Sequence, residues 1–378
     1  MHRDFTINAL CLEAEKLFKG EGLKSLLIDP YNGERDLKLK VIKLVNKKAF
    51  DEDPLRVLRA FSLAIIFGFK IDKETLKQAG LKAKKLSGIS SERIRDELFK
   101  ILERPGACQY LEQLDKLKIL KVILPEIEVM RGVNQGPYHH LDVWAHSLET
   151  VRQLEKAILE FKRNSQIQDY LDEIISPTRS RRALLKFGAL LHDIGKPASL
   201  RREDGKLKFH GHERVGTNIT RSIAERLKLS NDEMDALKKM VLWHLRPGYL
   251  ADNDEVTPRA IFRYFRDTQK EALSVLLLSL GDQRATRGRL TTKDSRGRHE
   301  RLVARLIKEY FRKKEEKKSV RLVNGNDLMN KFKLGPSPLI GKILSEIEEL
   351  QAIGKIKNKE GALREAKKFI SGQNSKGH

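Results

Sequence analysis

Seven of the ten histidines fall between His139 and His244, and one of them is followed directly by an aspartate. The run "LLHDIGKP" puts His192 and Asp193 at the end of an apolar stretch, "ALLKFGALL". Adjacent helical residues point about 100° apart, so both can reach one metal lying against the helix end. Upstream, "HHLDVWAHS" offers His146. Downstream, "FHGHERVG" offers His212, "LWHLRPG" offers His244 and "LSLGDQRA" offers Asp282. Imidazole and carboxylate together suit Mn, Fe, Co, Ni or Zn, with Mg possible. A buried His–Asp pair behind an apolar run is costly unless it is paired or metal-bound. A lone histidine such as His140 or His210 is as readily a surface or core residue without a role. Lys196 is placed to bind a phosphate, although a lysine after a helix end is also ordinary.

A second constellation lies in "DEDPLRVLRAFSLA". On a helix, Asp53 and Arg56 would share one face at i,i+3. They would then offer acceptors and a fork of donors to a base edge. The plainer reading is that Asp51 and Asp53 cap a helix at Pro54 and Arg56 pairs with an acid.

The elements that must position these residues are mostly helical. "MHRDFTINAL" alternates apolar Phe5, Ile7 and Leu10 with polar residues, which predicts a half-buried strand or its edge. Asp29 to Gly33 predict a turn, and Leu37, Leu39 and Val41 after it predict a strand. From Asp51 onward the pattern is helical. Pro54 predicts one helix entry, and Ser90 or Ser91 predicts the cap of another, over "SERIRDELFKILER". A loop, "RGVNQGPYHH", divides these helices from the histidine block. "KEYFRKKEEKKSVR" predicts a linker or exposed helix end. Leu339, Ile343, Leu344, Ile347 and Leu350 predict one apolar stripe on a helix in the tail.

The 378 residues carry 75 Lys+Arg against 52 Asp+Glu, a net charge of +23 that favours a polyanionic partner, RNA or DNA first. A Lys-rich solvated surface is the alternative. Two distant cysteines, Cys11 and Cys108, exclude a disulfide framework and fit a reducing compartment. With no apolar run long enough to span a bilayer and no signal-peptide pattern, a cytoplasmic protein without a membrane partner is expected.

The H…HD…H…H…D order over roughly residues 138–290 resembles the HD phosphohydrolase superfamily. That resemblance implies His146, His192, Asp193 and Asp282 as core metal ligands. His212 and His244 would complete a second metal position or contact the phosphate. A metal-activated water would attack phosphorus, with His192, Asp193 and Lys196 as the catalytic set and Mn, Ni, Co or Mg as the metal. The front of the chain, "RDFTINAL", "DPYNGERDL", "DEDPLRVLRAFSLA" and "SERIRDEL" in that order, resembles the class II tRNA nucleotidyltransferases, the CCA-adding enzymes and bacterial poly(A) polymerases. So does the tail, "LVNGNDLMNKFKLGPSPLIGKILSEIEE". In that family the first motif helps hold the nucleotide, and the E-D-x-x-R motif, here Glu52, Asp53 and Arg56, is a protein template for the base of CTP or ATP. The implied nucleotide-binding set is Arg3, Asp4, Asn8, Glu52, Asp53, Arg56, Arg59 and Arg93.

The expected fold is mainly α. It comprises a truncated α/β nucleotidyltransferase head remnant (1–50), a helical neck with RNA- and nucleotide-binding motifs (51–130), an all-α HD domain (131–295) and a helical tRNA-binding tail (296–378). The family's Gly-Gly-x-Val-Arg-Asp stretch does not occur in the 378 residues, and no Asp-x-Asp pair stands behind a Gly-rich strand: "NDEMD" and "DNDE" lie inside or beside the histidine block, and the pair in "DEDPLRV" opens a helix. In the family, the carboxylates of that pair hold the two metals of polymerisation. The expectation is therefore a protein of tRNA 3′-end maturation or RNA 3′ adenylylation. It would not polymerise alone, and would need Mg with CTP or ATP once the head is completed, for instance by a separate chain. The other readings are a stand-alone RNA-binding HD phosphohydrolase and an RNA-binding subunit of a split polymerase.

Overall fold

The computed structural model describes residues 3–13, 26–316 and 320–374. It is 67% helical, and among the described residues the strands form only two-stranded pairs, so the fold is mainly α. The chain divides into two compact units, Met1–Leu245 with Leu277–Arg296, and Arg246–Leu276 with Gly297–His378.

The first unit begins with two departures from the strand patterns of the sequence. Phe5 makes only an isolated bridge to Leu44, and Thr6–Asn8 form a single 3-10 turn. The strand comes later: β1 (Cys11–Leu12) pairs antiparallel with β2 (Leu27–Ile28). The turn is held from within. The Asp4 carboxylate accepts from Phe5 N at 2.9 Å and Asn8 Nδ2 at 3.1 Å, and Thr6 Oγ1 donates to Asp36 at 2.7 Å. Local side-chain acceptors of this kind outcompete an extended ladder. Leu37 also departs, lying in helix α1 (Gly33–Lys38). Asp29 accepts from Gly33 N at 2.6 Å and Glu34 N at 3.0 Å, so the turn residues open a helix rather than a hairpin. Only β3 (Val41–Ile42) is strand, parallel to β4 (Lys70–Ile71), and Leu39 is left exposed.

Between β3 and β4 lie α2 (Ala49–Glu52) and α3 (Arg56–Phe67), the latter burying Val57, Leu58, Ala60, Phe61 and Ala64. After β4 come α4 (Ser91–Leu102) and α5 (Ala107–Lys116), each with one apolar face inward. Then follow α6 (Val143–Glu160) and α7 (Arg181–Leu191), the short α8 (Lys196–Ser199), α9 (His212–Arg226) and α10 (Asn231–Trp243). α7 is the spine. Every residue from Ala183 to Leu191 is buried, and it packs on α4, α6 and α10. Polar side chains tie the earlier helices to it. Glu155 accepts from Ala107 N and Cys108 N at the start of α5, and from Lys186 Nζ at 2.9 Å. Glu103 accepts from Ser180 N at 2.7 Å, at the cap of α7.

In the second unit, α11 (Pro258–Thr268) presents Arg259 and Arg263 to the buried Glu349, with Arg263 Nε 2.8 Å from it. α12 (Ala272–Ala285) runs through the boundary, so Leu277 onward counts with the first unit. α13 (Lys293–Glu315) carries most of the expected charge run, while residues 317–319 of that run lie outside the described residues. α14 (Pro338–Ala352) buries Ile340, Ile343, Ile347 and Leu350 against α15 (Lys359–Asn374), through Ala362 and Ala366. Among the described residues no helix is long and apolar enough to cross a membrane.

Candidate metal centre and nucleotide-binding residues

Six side chains from five helix ends or helices of the first unit converge. His146 projects from the first turn of α6, which Asp142 caps by accepting from Ala145 N at 2.7 Å. His192 and Asp193 follow the last residue of α7. His212 opens α9, His244 follows α10, and Asp282 lies in the last turn of α12. The Gly195 that follows "HDI" is required by packing. A Cβ there would lie 2.1 Å from His212 O and 2.4 Å from Gly216 N, so only glycine lets α9 seat against the end of α7.

Three of the imidazoles are aimed by one device. His192 Nδ1 donates to Ala189 O at 2.8 Å, His212 Nδ1 to Phe209 O at 2.8 Å and His244 Nδ1 to Val241 O at 2.7 Å. Each bond spends the Nδ1 proton on a backbone carbonyl and leaves Nε2 facing the centre, the arrangement that sets the tautomer of a ligating histidine. The Nε2 atoms meet the two carboxylates. His146 lies 2.9 Å from Asp282, His192 3.2 Å from Asp193, and His212 and His244 3.3 and 3.6 Å from Asp193. Three overlapping triads result: His146, His192 and Asp193; His192, His244 and Asp282; Asp193, His212 and His244.

The centre fits a divalent cation. His192 Nε2 and Asp193 Oδ1 are buried without an aligned hydrogen bond, so the polar atoms at its heart want a partner that the protein does not give them. Burial pushes the Asp193 and Asp282 carboxyls up, but neighbouring imidazoles, with Lys196 beside Asp193, outweigh it and hold both well below the usual carboxylate range. Burial likewise pushes His192 down, and the two carboxylates outweigh it, raising its pKa to about 10. For His146 and His244 burial prevails and the pKa falls.

Lys196 is buried. Its Nζ donates to Asp193 Oδ2 at 2.7 Å and to Gln135 Oε1 at 2.6 Å, so it orients the aspartate as well as charging the site. His140 is exposed and His210 is 74% exposed beside Glu203, and neither reaches the centre. Two neighbours were not legible as site residues. Gln135 carries no sequence signal. His139, whose ring stands 4.7 Å from that of His146, had only its place in the loop before α6 to mark it.

The front residues form three separate polar groups. Arg59 Nε donates to Asp4 at 2.9 Å, beside Asn8, and Arg3 is exposed. Arg56 pairs with Glu52 at 3.1 Å and donates to Ala49 O. Arg93 donates to Asp53 at 2.8 Å. The expectation that Asp53 and Arg56 share a helix face is corrected. Asp53 has extended backbone (φ −143°, ψ 98°) between α2 and α3, because a residue before proline avoids the helical region.

A mainly helical chain with this centre belongs to the class of proteins that carry an HD domain, and the HD family profile matches residues 143–283. Profiles of the RNA- and SrmB-binding site of polymerase A and of tRNA nucleotidyltransferase domain 2 match residues 68–130 and 215–366. The A-adding tRNA nucleotidyltransferase of Deinococcus radiodurans is 32% identical over 97% of this chain and 77% of the relative. The CC-adding tRNA nucleotidyltransferase of Thermus thermophilus is 28% identical over 96% and 75%. In fold the chain is similar to a CCA-adding enzyme solved with ATP, at a TM-score of 0.59 and 19% identity, covering 96% of this chain and 70% of that one. It is also similar to the Thermotoga maritima CCA-adding enzyme solved with tRNA, at a TM-score of 0.57 and 19% identity, over 98% and 72%. The chain belongs to the tRNA nucleotidyltransferase family, enzymes of tRNA 3′-end maturation, in a form with an HD domain.

Proposed function

We propose that His146, His192, Asp193, His212, His244 and Asp282 form a metal-dependent phosphohydrolase centre within this tRNA-processing protein. The observation that carries it is the convergence of Nε2 atoms whose Nδ1 partners are backbone carbonyls. Four imidazoles and two carboxylates suit Mn, Ni or Co better than Mg. The metal, when bound, supplies Lewis-acid charge for the phosphoryl oxygens and lowers the pKa of water. The chain's part is to hold Asp193 in place through Lys196, to offer that same ammonium to the phosphate, and to bury the centre. In the net reaction a water oxygen bonds to phosphorus, the ester P–O bond breaks, and the departing oxygen takes up a proton. The test is hydrolysis of 2′,3′-cyclic nucleotides and a phosphate monoester with each metal, beside elemental analysis. Turnover and bound metal should both vanish in His192→Ala/Asp193→Ala. Full activity in that variant, or a wild type that takes up no metal, sinks the reading.

The same reading places Arg3, Asp4, Asn8, Glu52, Asp53, Arg56, Arg59 and Arg93 at a nucleotide, whose base and phosphates would exchange partners with the three ion pairs described above, in the cytoplasm where CTP, ATP and tRNA are available. The 378 residues hold no Asp-x-Asp pair behind a glycine-rich strand, so by themselves they should add neither CMP nor AMP. Labelled CTP or ATP, Mg and tRNA lacking its 3′ end decide it. Incorporation by this chain alone refutes the statement, and incorporation only after a chain bearing those carboxylates is added supports it.

A further inference from the structure

Asp282 is 18% exposed at its side chain, against 7% or less for the other five ligands, so the centre opens beside it. Two loops meet there. Beyond α12 the chain folds onto the loop before α6. Gly288 N donates to Tyr138 O at 2.7 Å, Leu290 N to Pro137 O at 3.3 Å and Thr291 Oγ1 to Tyr138 O at 3.0 Å. A Cβ on Gly288 would lie 2.2 Å from the Tyr138 carbonyl carbon, so the clasp is closed at the limit of backbone approach. On one side of Tyr138 is His139, stacked edge-on against the ligand His146. Tyr138 itself is 57% exposed, and Arg287 and Arg289, which flank Gly288, are exposed as well.

An exposed aromatic ring and two guanidinium groups fixed to one backbone clasp suit a single nucleic-acid strand: the ring stacks a base and the arginines take successive phosphates. A mononucleotide with its phosphate at the ligands has no further phosphate for either arginine. We propose that Tyr138, Arg287 and Arg289 form a recognition rim that selects a single-stranded polynucleotide with a terminal phosphate, over a free mononucleotide, as the substrate of the metal centre. The proposal rests on the hydrolase reading above.

The experiment compares kcat/KM of the metal-loaded chain on a short 3′-phosphorylated oligoribonucleotide and on a 2′,3′-cyclic mononucleotide. Tyr138→Ala and Arg287→Ala/Arg289→Ala should each lower the oligonucleotide-to-mononucleotide ratio about tenfold, through KM for the oligonucleotide. Bound metal, read by elemental analysis, should match wild type. An unchanged ratio overturns the rim. A wild type that cleaves neither substrate refutes the hydrolase reading instead. The rim is then judged by photocrosslinking an oligonucleotide ending in 4-thiouridine. Crosslinks within residues 136–140 or 286–291 support it, and crosslinks confined elsewhere overturn it.

Discussion

Glu233 shows how one residue can serve two structures. Its carboxylate accepts from Ser230 N at 2.7 Å, closing the capping box of α10, and takes both Arg179 Nε at 2.5 Å and Arg179 Nη2 at 2.9 Å. Both side chains are buried, at 1% and 8% exposure. Removing one partner of such a pair leaves an uncompensated charge and costs about 3–5 kcal/mol. Glu233→Ala should therefore lower the urea midpoint sharply, and an apolar replacement of both residues should recover most of the loss. The pH dependence has a definite sign. Burial pushes the Glu233 carboxyl up, but Arg179 and the Ser230 backbone outweigh it and hold it below its usual range. Its contribution is complete above the ordinary glutamate pKa of about 4.3 and is lost as pH falls through the lowered folded value. Unfolding curves of wild type and Glu233→Gln measured down that range should converge.

At the scale of elements, the metal centre depends on how closely α9 seats against the end of α7. The contact runs through Gly195 and Gly216, and at Gly195 the facing backbone leaves no room for a methyl group. Gly195→Ala should push α9 outward and carry His212 away from Asp193, since backbone on both sides cannot yield as a flexible side chain would. The expected outcome is loss of bound metal by elemental analysis together with a lower Tm. A variant with full metal content would show that the seating is not what positions His212. The same scale explains the front of the chain. Asp29 starts a helix where the alternation of Leu37, Leu39 and Val41 suggested a strand. Two capping bonds from one carboxylate decide a short segment more strongly than three alternating apolar residues do.

For the whole molecule, the surplus of 75 basic over 52 acidic residues sets the physics of RNA association. Each phosphate neutralised releases counterion, so affinity for tRNA should fall linearly on a log–log plot against salt, with a slope of about 0.9 per duplex phosphate contact. Removing residues 320–378 should weaken binding and shallow that slope. Fluorescence titration at several salt concentrations measures both, and a salt-independent affinity or a deletion without effect counts against a backbone-dominated interface.

The sequence by itself determined the helical class, because apolar periodicity and caps are local. It also singled out His146, His192, Asp193, His212, His244 and Asp282 as candidate ligands, and the structure brings all six together. The front motifs, read as a resemblance, pointed to the family that the relatives bear out. Tertiary structure decided which atoms meet. His146 and Asp282 stand 136 positions apart yet lie 2.9 Å from one another, and no periodicity connects them. Gln135 and His139 join the centre through a loop held both by its own hydrogen bonds, such as Gly132 N to Asp142, and by the clasp at Gly288 from far along the chain. Asp53 leaves the face of Arg56 for Arg93, 40 positions on. Pro54 signalled the break in the backbone, but the partner that each charge finds across it depends on long-range packing, which local sequence does not encode.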